Sequence, residues 1–198
     1  MNAPLRCSCG SIRGHVSAPE LAYRAVCYCK DCQAFARFLG RGDAILDEHG
    51  GTEIVATLPN RVHFTQGIEA LACMSLSDRG LLRWYAICCN TPIGNTPRDF
   101  RVPYLGLVRT CLATDLPSQQ EPFGPVRMVL NTKSAKGPVK STPLRNVLPG
   151  LGVMKSVLAA RLNGTYKRNP FFGDETGTPI VRSRELSRAE RERFTGTA

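Results

Sequence analysis

Three cysteines within six residues are the densest chemical feature of the sequence, because Cys27, Cys29 and Cys32 form a C-x-C-x-x-C run. Zinc is bound by several soft, deprotonated donors that converge on one point. A run with this spacing supplies three thiolates from one tight turn, so little chain entropy is lost in gathering them. The spacing therefore predicts a metal site at these three residues.

Four further cysteines occur as two pairs, Cys7 with Cys9 and Cys88 with Cys89. A structural zinc is closed by four ligands, whereas a chemically active zinc keeps one position open. We therefore expect the two pairs to close a structural site and the triple to form an open one. Adjacent residues of a strand point to opposite faces, so Cys88 and Cys89 can share a metal only if the backbone turns there. Cys89 is the firmer ligand of the two.

The two remaining cysteines, Cys73 and Cys111, are expected to behave as small buried apolar residues. Whether Cys88 or Cys73 completes the structural site stays open at this point, as does the fourth ligand of the triple. The three histidines are isolated in the sequence. Of these, His63 is the one that could approach the open zinc position.

The composition favours metal binding over a disulfide framework. The chain has 198 residues, nine cysteines and a formal charge of +10. It has no run of about 18 apolar residues, and residues 1–6 lack the apolar region of a signal peptide. These features predict a soluble, cytoplasmic protein. Reducing compartments keep thiols unpaired, and an odd number of cysteines fits disulfides poorly.

Short apolar runs between turns predict a mainly β fold of antiparallel sheets. A turn at 7–10 is expected to lead into a strand that ends near Val16, and residues 33–39 favour a short helix. Further strands are predicted over residues 21–26, 52–58, 61–65, 71–75, 81–87 and 104–112. Two of these strands run directly into cysteine clusters, at Cys27 and at Cys88.

The composition changes after residue 116, where Pro and Gly become frequent, and residues 122–173 hold nine Lys or Arg and no acid. We predict a zinc-binding domain over residues 1–135 and a basic C-terminal extension over residues 136–198. Within the extension Leu151, Met154, Leu158 and Leu162 share one face at helical spacing. This pattern predicts an amphipathic helix near residues 151–163.

The three cysteine motifs together carry a family resemblance. Cys-Ser-Cys-Gly at 7–10, the triple at 27–32 and Cys-Asn-Thr-Pro at 89–92 resemble the glutathione-dependent formaldehyde-activating enzyme family, which includes centromere-protein-V-like proteins. The resemblance covers about residues 5–135. It implies a β-tent fold with a structural four-thiolate zinc, and a second zinc on the triple that is linked to substrate.

Two positions differ from the family pattern. Ala86 stands where the first cysteine of the third cluster belongs, so that Cys88 offers the replacement ligand. Gln33 stands where a basic residue often follows the triple.

Three functions are consistent with the sequence. The first is a zinc-dependent carbon–sulfur lyase that acts on a glutathione or other thiol adduct of a small aldehyde such as formaldehyde, with Cys27, Cys29 and Cys32 as its catalytic residues. The alternative is a zinc-stabilised binding module whose basic region, 127–168, contacts nucleic acid or another polyanion. The third places the amphipathic helix on an anionic membrane or a partner. The sequence names no glutathione contact and no oligomeric state.

Overall fold

The strands and helices were located in a computed structural model, which describes residues 2–112, 122–140, 143–173 and 176–196. The strands are β1 (Asn2–Arg6), β2 (Arg13–Ser17), β3 (Tyr23–Cys27), β4 (Thr52–Thr57), β5 (Val62–Gln66), β6 (Leu71–Ser75), β7 (Leu82–Ala86), β8 (Thr91–Thr96), β9 (Leu105–Val108), β10 (Val126–Leu130) and β11 (Arg184–Glu185). The helices are α1 (Lys30–Phe38), α2 (Gly42–Ile45), α3 (Pro143–Leu162) and α4 (Arg188–Thr195).

The fold is mainly β, with two sheets and several helices. One sheet has three antiparallel strands in the order β1-β2-β5. The other has eight strands in the order β10-β3-β4-β9-β8-β7-β6-β11. Its inner pairs are antiparallel, as the sequence predicts, but β10 pairs parallel with β3 and β11 pairs parallel with β6. The expectation of purely antiparallel sheets is therefore wrong at both edges.

Strand β8 was not expected, because its sequence Thr-Pro-Ile-Gly-Asn-Thr has low strand propensity. Every residue of β8 is nevertheless buried. Pro92 lies where the register between β7 and β8 shifts, and β9 pairs only with Gly94 and Asn95. Pro92 therefore withholds no amide from the ladder with β9. A Cβ at Gly94 would lie 3.0 Å from the Gly106 carbonyl oxygen, so glycine allows β8 and β9 to approach closely.

Residues from the C-terminal part of the chain lie in the main core. Phe171 and Phe172 are buried against Trp84 of β7, at ring-centroid distances of 5.0 and 6.3 Å. Phe194 of α4 packs edge-on against Phe38 of α1 at 5.7 Å. Side chains from both sides of residue 135 thus share one core, and the division of the chain at that residue stays a prediction.

Helix α3 begins eight residues before the predicted start, since it runs from Pro143 to Leu162. Pro149, Gly150 and Gly152 lie inside it, and their helix-breaking character concealed the first two turns. Among the described helices, none is long and apolar enough to cross a membrane.

Candidate metal centres

The first cysteine group joins two turns that belong to different sheets. Cys7 and Cys9 lie in the turn between β1 and β2, where the amide of Gly10 donates to the carbonyl of Cys7 and Gly10 has φ 77°. Cys88 and Cys89 lie in the turn between β7 and β8. There the backbone reverses at Asn90, with φ 54°, so the adjacent thiols reach the same point.

The sulfurs of the four-thiol group, defined as Cys7, Cys9, Cys88 and Cys89, lie within 4.8 Å of one another. The Sγ–Sγ distances are 3.4 Å for Cys7–Cys9, 3.1 Å for Cys9–Cys88, 4.0 Å for Cys7–Cys88 and 3.8 Å for Cys88–Cys89. This group could hold a metal ion, and its four thiols would fill every position of a tetrahedral coordination sphere.

Hydrogen bonds hold the two turns in register. The amide of Ser8 donates to Thr91 Oγ1 at 3.0 Å, and Thr91 Oγ1 donates to Ser8 Oγ at 2.9 Å. The amide of Ile12 donates to Cys7 Sγ at 3.2 Å. Burial raises the pKa of Cys89, but hydrogen bonds from Ser8 and Thr91 outweigh it and lower that pKa to about 5. At least one thiolate is therefore favoured before any cation binds.

The three-thiol group, Cys27, Cys29 and Cys32, lies where β3 ends and α1 begins, and its sulfurs also lie within 4.8 Å of one another. Cys29 is the N-cap of α1, and its Sγ accepts a hydrogen bond from the amide of Cys32 at 3.3 Å. A helix N-terminus favours negative charge. Hydrogen bonds from Cys29 and Cys32 lower the pKa of Cys27, whereas the contact with Cys27 raises those of its two neighbours.

Two polar side chains from distant strands reach the three-thiol group. Arg83 of β7 is 2% exposed, and its Nη1 lies 4.0 Å from Cys32 Sγ and donates to Asn95 Oδ1 at 3.1 Å. Asn131, which follows β10, donates from Nδ2 to Cys27 Sγ at 3.3 Å. Its φ of 56° is left-handed, a conformation that asparagine tolerates. Neither residue is predicted from the sequence, because the order of strands in the eight-stranded sheet brings both of them to this site.

Tyr104 is a further residue that the sequence analysis missed. Burial, with the charges of Cys32 and Cys27, raises the pKa of its hydroxyl to about 12. A Cβ at Gly106 would lie 3.0 Å from this hydroxyl, so the missing side chain makes room for it above β9. Tyr104 therefore keeps its proton at neutral pH, and its hydroxyl lies within electrostatic range of Cys32 and Cys27.

Gln33 has a structural role in this chain. It is buried, and its Nε2 donates to the carbonyls of Tyr28 and Ser134, both at 2.9 Å. Its Oε1 accepts from Arg37 at 3.2 Å. Gln33 thus ties the start of α1 to the segment after β10, and Arg83 supplies the positive charge near the thiols.

A family model covers most of the chain, residues 1–181. The chain belongs to a family of unknown function, DUF6151. The match spans both cysteine groups and α3. A crystal structure of a Rhodobacter sphaeroides protein is 16% identical, with a TM-score of 0.41 over 66% of this chain and 100% of that chain. No curated protein matches the sequence.

The remaining two cysteines belong to neither group. Cys73 and Cys111 are buried in the main core, and burial raises their pKa values to about 11 and about 12. Cys88, not Cys73, is therefore the fourth member of the four-thiol group. His63 lies on β5 with its ring stacked on His15 at 4.9 Å, and among the described residues neither histidine joins a cysteine group.

Proposed function

We propose that this chain is a zinc-dependent carbon–sulfur lyase that acts on a thiol adduct of a small aldehyde. The observation that carries the proposal is the separation of seven cysteines into a group of four and a group of three. Four thiolates complete a tetrahedral zinc, whereas three leave one position for a substrate. In this proposal the four-thiol group is structural and the three-thiol group is catalytic.

The donor geometry fits zinc. A tetrahedral zinc with sulfur at about 2.3 Å requires sulfur–sulfur distances of about 3.8 Å. The four sulfur–sulfur distances given above run from 3.1 to 4.0 Å around that value, and all sulfurs of the group lie within 4.8 Å of one another. Cysteine sulfur is the soft donor that zinc accepts, and magnesium or calcium would require oxygen ligands.

When bound at the three-thiol group, zinc would supply Lewis acidity and favour a substrate thiol in its thiolate form. The chain's own residues would then balance charge and protons. Arg83 and Asn131 stabilise the negative charge of the cysteine thiolates, through a guanidinium 4.0 Å from Cys32 and an amide 3.3 Å from Cys27. Tyr104, which keeps its proton, donates a hydrogen bond to the substrate oxygen.

The reaction is the reversible addition of a thiol to an aldehyde. The carbon–sulfur bond forms between the substrate sulfur and the carbonyl carbon, and the carbonyl oxygen takes the proton that the thiol loses. The reverse reaction breaks the same bond and returns that proton to sulfur. The formaldehyde-activating enzyme family, with its β-tent fold and its use of glutathione, remains the resemblance that suggests this chemistry. Arg83 offers the basic group that Gln33 does not.

Zinc stoichiometry of the purified protein is the direct test of the two centres. We expect about two zinc ions per chain in the wild type, and about one in Cys27→Ser, which stays folded. Cys89→Ser should lose stability as well as zinc, because a structural site contributes folding free energy. Cys73→Ala, a buried cysteine outside both groups, is the matched control and should keep both ions. A wild-type protein without zinc would end the proposal.

The activity is tested separately by NMR exchange between formaldehyde and glutathione. We expect wild-type protein to accelerate exchange above the uncatalysed background, and Cys27→Ser to remove that acceleration. Tyr104→Phe should lower the rate without changing the zinc content. A wild-type rate equal to background would eliminate the lyase while leaving the metal centres intact.

A second candidate is a zinc-stabilised module that binds nucleic acid or another polyanion. Its support is the exposure of the basic side chains of the C-terminal part, which are Arg127, Lys133, Lys136, Lys140, Lys155, Arg161, Lys167 and Arg168. Neutralising several phosphates releases counterions, so affinity should fall steeply with salt. Two results would remove this candidate. One is that the protein does not bind a DNA duplex at low salt, and the other is that its affinity for the duplex does not change with salt concentration.

A further inference from the structure

The outer face of α3 carries an apolar stripe, interrupted by the exposed Lys155, that the described part of the protein leaves uncovered. Its side chains are between 50% and 86% exposed. We call this set the α3 stripe, and it comprises Leu144, Val147, Leu148, Leu151, Met154, Leu158 and Leu162. The stripe runs along the helix for about 27 Å at 1.5 Å per residue. A patch of this extent marks a contact surface.

The opposite face of α3 is already packed on the protein. Asn146 donates to the Val129 carbonyl at 2.8 Å and accepts from the Val129 amide at 3.0 Å, which fixes the helix to β10. Val153 packs on the apolar cluster that includes Cys27, and Ala160 is buried. The helix is thus apolar on both faces, and a helix of that kind is normally buried on all sides.

Most of the charged side chains beside the α3 stripe are basic, and the acid Asp99 lies near Arg101 and Arg161. Lys155 and Arg161 on α3 are exposed, and they line, with Arg101, an apolar groove of about 680 Å³ beside the stripe. Asp99 is paired with Arg101 at 2.9 Å. Residues 122–173 contain no acid at all. The surface therefore combines an apolar stripe with a cationic border, and it matches an apolar partner that carries negative charge.

Three other occupants fit less well. A small ligand in the groove would contact α3 only between Leu151 and Arg161. Leu144, Leu148 and Leu162 would then stay exposed. A second copy related by a twofold axis would place Lys155 and Arg161 against the same cations, with no acid on α3 to pair them. A protein partner would be expected to find polar groups for about one hydrogen bond per 100–200 Å², and the stripe offers none.

We propose that α3 lies on an anionic membrane surface, with the α3 stripe buried at the boundary between headgroups and acyl chains. Helices that bind membrane surfaces lie in the interface plane, with apolar side chains inserted and Lys or Arg facing anionic headgroups. In α3 the second face is covered by β10 and by the cluster that includes Cys27. The contact would hold the protein on the surface, since no described helix spans a bilayer. It would also place the groove lined by Tyr104 next to the lipid.

Vesicle flotation with the full-length protein tests this inference. Vesicles of phosphatidylcholine alone are compared with vesicles that also contain phosphatidylglycerol, at low and high salt. We expect wild-type protein to float with the anionic vesicles at low salt, and less at high salt. Leu158→Glu should lower partitioning about tenfold or more. Lys155→Gln should lower it about fivefold, as one cation near an anionic surface is lost.

Ile68→Glu is the matched control, because Ile68 is exposed on the connection between β5 and β6 and should leave partitioning unchanged. Circular dichroism and zinc content, measured on every variant, separate this inference from the metal proposal and show that each variant is folded. Equal flotation of Leu158→Glu and wild type would overturn the inference. The inference would also be overturned if wild-type protein floated with neither type of vesicle. That result, together with sedimentation that shows a dimer dissociated by Leu158→Glu, would mean that a second copy covers the stripe.

Discussion

Replacement of Arg83 by methionine tests whether the three-thiol group depends on a buried positive charge. Arg83 is 2% exposed, and its Nη1 lies 4.0 Å from Cys32 Sγ. The carboxylate of Asp31 lies 3.8 Å from Arg83 Nη2, but Asp31 is largely exposed, so solvent screens its charge. Zinc with three thiolates carries a net negative charge, which Arg83 would offset. Loss of a partner that supports metal ligands typically lowers metal affinity 10- to 100-fold.

The same substitution has a cost in stability that can be estimated separately. Arg83 donates to Asn95 Oδ1 at 3.1 Å, and methionine would leave that buried oxygen without this donor. An unsatisfied buried acceptor costs about 1–3 kcal/mol. Because this is a fraction of a typical free energy of unfolding of about 5–15 kcal/mol, the variant should fold. Arg83→Lys keeps the positive charge but not the planar set of donors of a guanidinium. Its zinc affinity should therefore lie between those of Arg83→Met and the wild type.

Chelator competition, followed for both zinc equivalents, measures the effect of Arg83→Met. One zinc ion should be removed at an about 10- to 100-fold lower chelator concentration than in the wild type. The other ion should be retained as in the wild type. Arg98→Met is the matched control, since Arg98 donates to Ser77, Gly80 and Glu185, and the cysteine near it, Cys73, belongs to neither group. The reasoning is refuted if Arg83→Met keeps both ions with wild-type affinity, or if the four-thiol group is the one that loses zinc.

Three further predictions concern the fold that supports the two groups. Phe171→Ala should lower the free energy of unfolding by about 3–5 kcal/mol in denaturant titration, since Phe171 is fully buried against Trp84; a loss under about 1 kcal/mol would contradict this packing. Gly14→Ala should cost about 1–3 kcal/mol in the same titration, because its Cβ would collide with the His63 carbonyl, and unchanged stability would disprove that contact. Ser187→Ala removes the capping box of α4 and should cost about 1 kcal/mol, seen as faster amide exchange in α4 than in wild type.

The sequence was sufficient for the features that depend on local spacing. Strand β6 has the predicted bounds, Leu71–Ser75, and the helix predicted over 33–39 overlaps α1, which runs from Lys30 to Phe38. The spacing identifies the triple and the two cysteine pairs, and the count of four ligands joins the pairs, which lie in two turns. These predictions succeed because periodicity and turn residues act over a few positions.

The sequence could not reveal features that depend on contacts between distant segments. Strand β10 pairs parallel with β3 about 100 residues earlier, and only this pairing brings Asn131 to Cys27. Strand β8 forms because burial between β7 and β9 outweighs the poor propensity of its proline and glycine. Arg83 lies in the strand predicted over residues 81–87, but its burial beside Cys32 follows from the order of the sheet.

The two cysteine groups should differ in what they contribute to folding, because they close loops of different length. A metal in the four-thiol group would link Cys7 to Cys88, which are 81 residues apart, whereas the first and last cysteines of the three-thiol group are five residues apart. Loop-closure entropy grows as the logarithm of loop length, which gives roughly 4 kcal/mol for the long loop and about 1 kcal/mol for the short one.

Removal of zinc by a chelator should therefore destabilise the protein mainly through the four-thiol group. Cys27→Ser, which has already lost the short-loop ion, should lose nearly as much stability on chelation as the wild type does. Cys7→Ser should lose much less. Thermal unfolding of the three proteins with and without chelator measures this difference, with Cys73→Ala as the control. Equal losses in Cys7→Ser and Cys27→Ser would mean that loop length does not set the contribution of either group, and that the division into a structural and a catalytic centre has no thermodynamic basis.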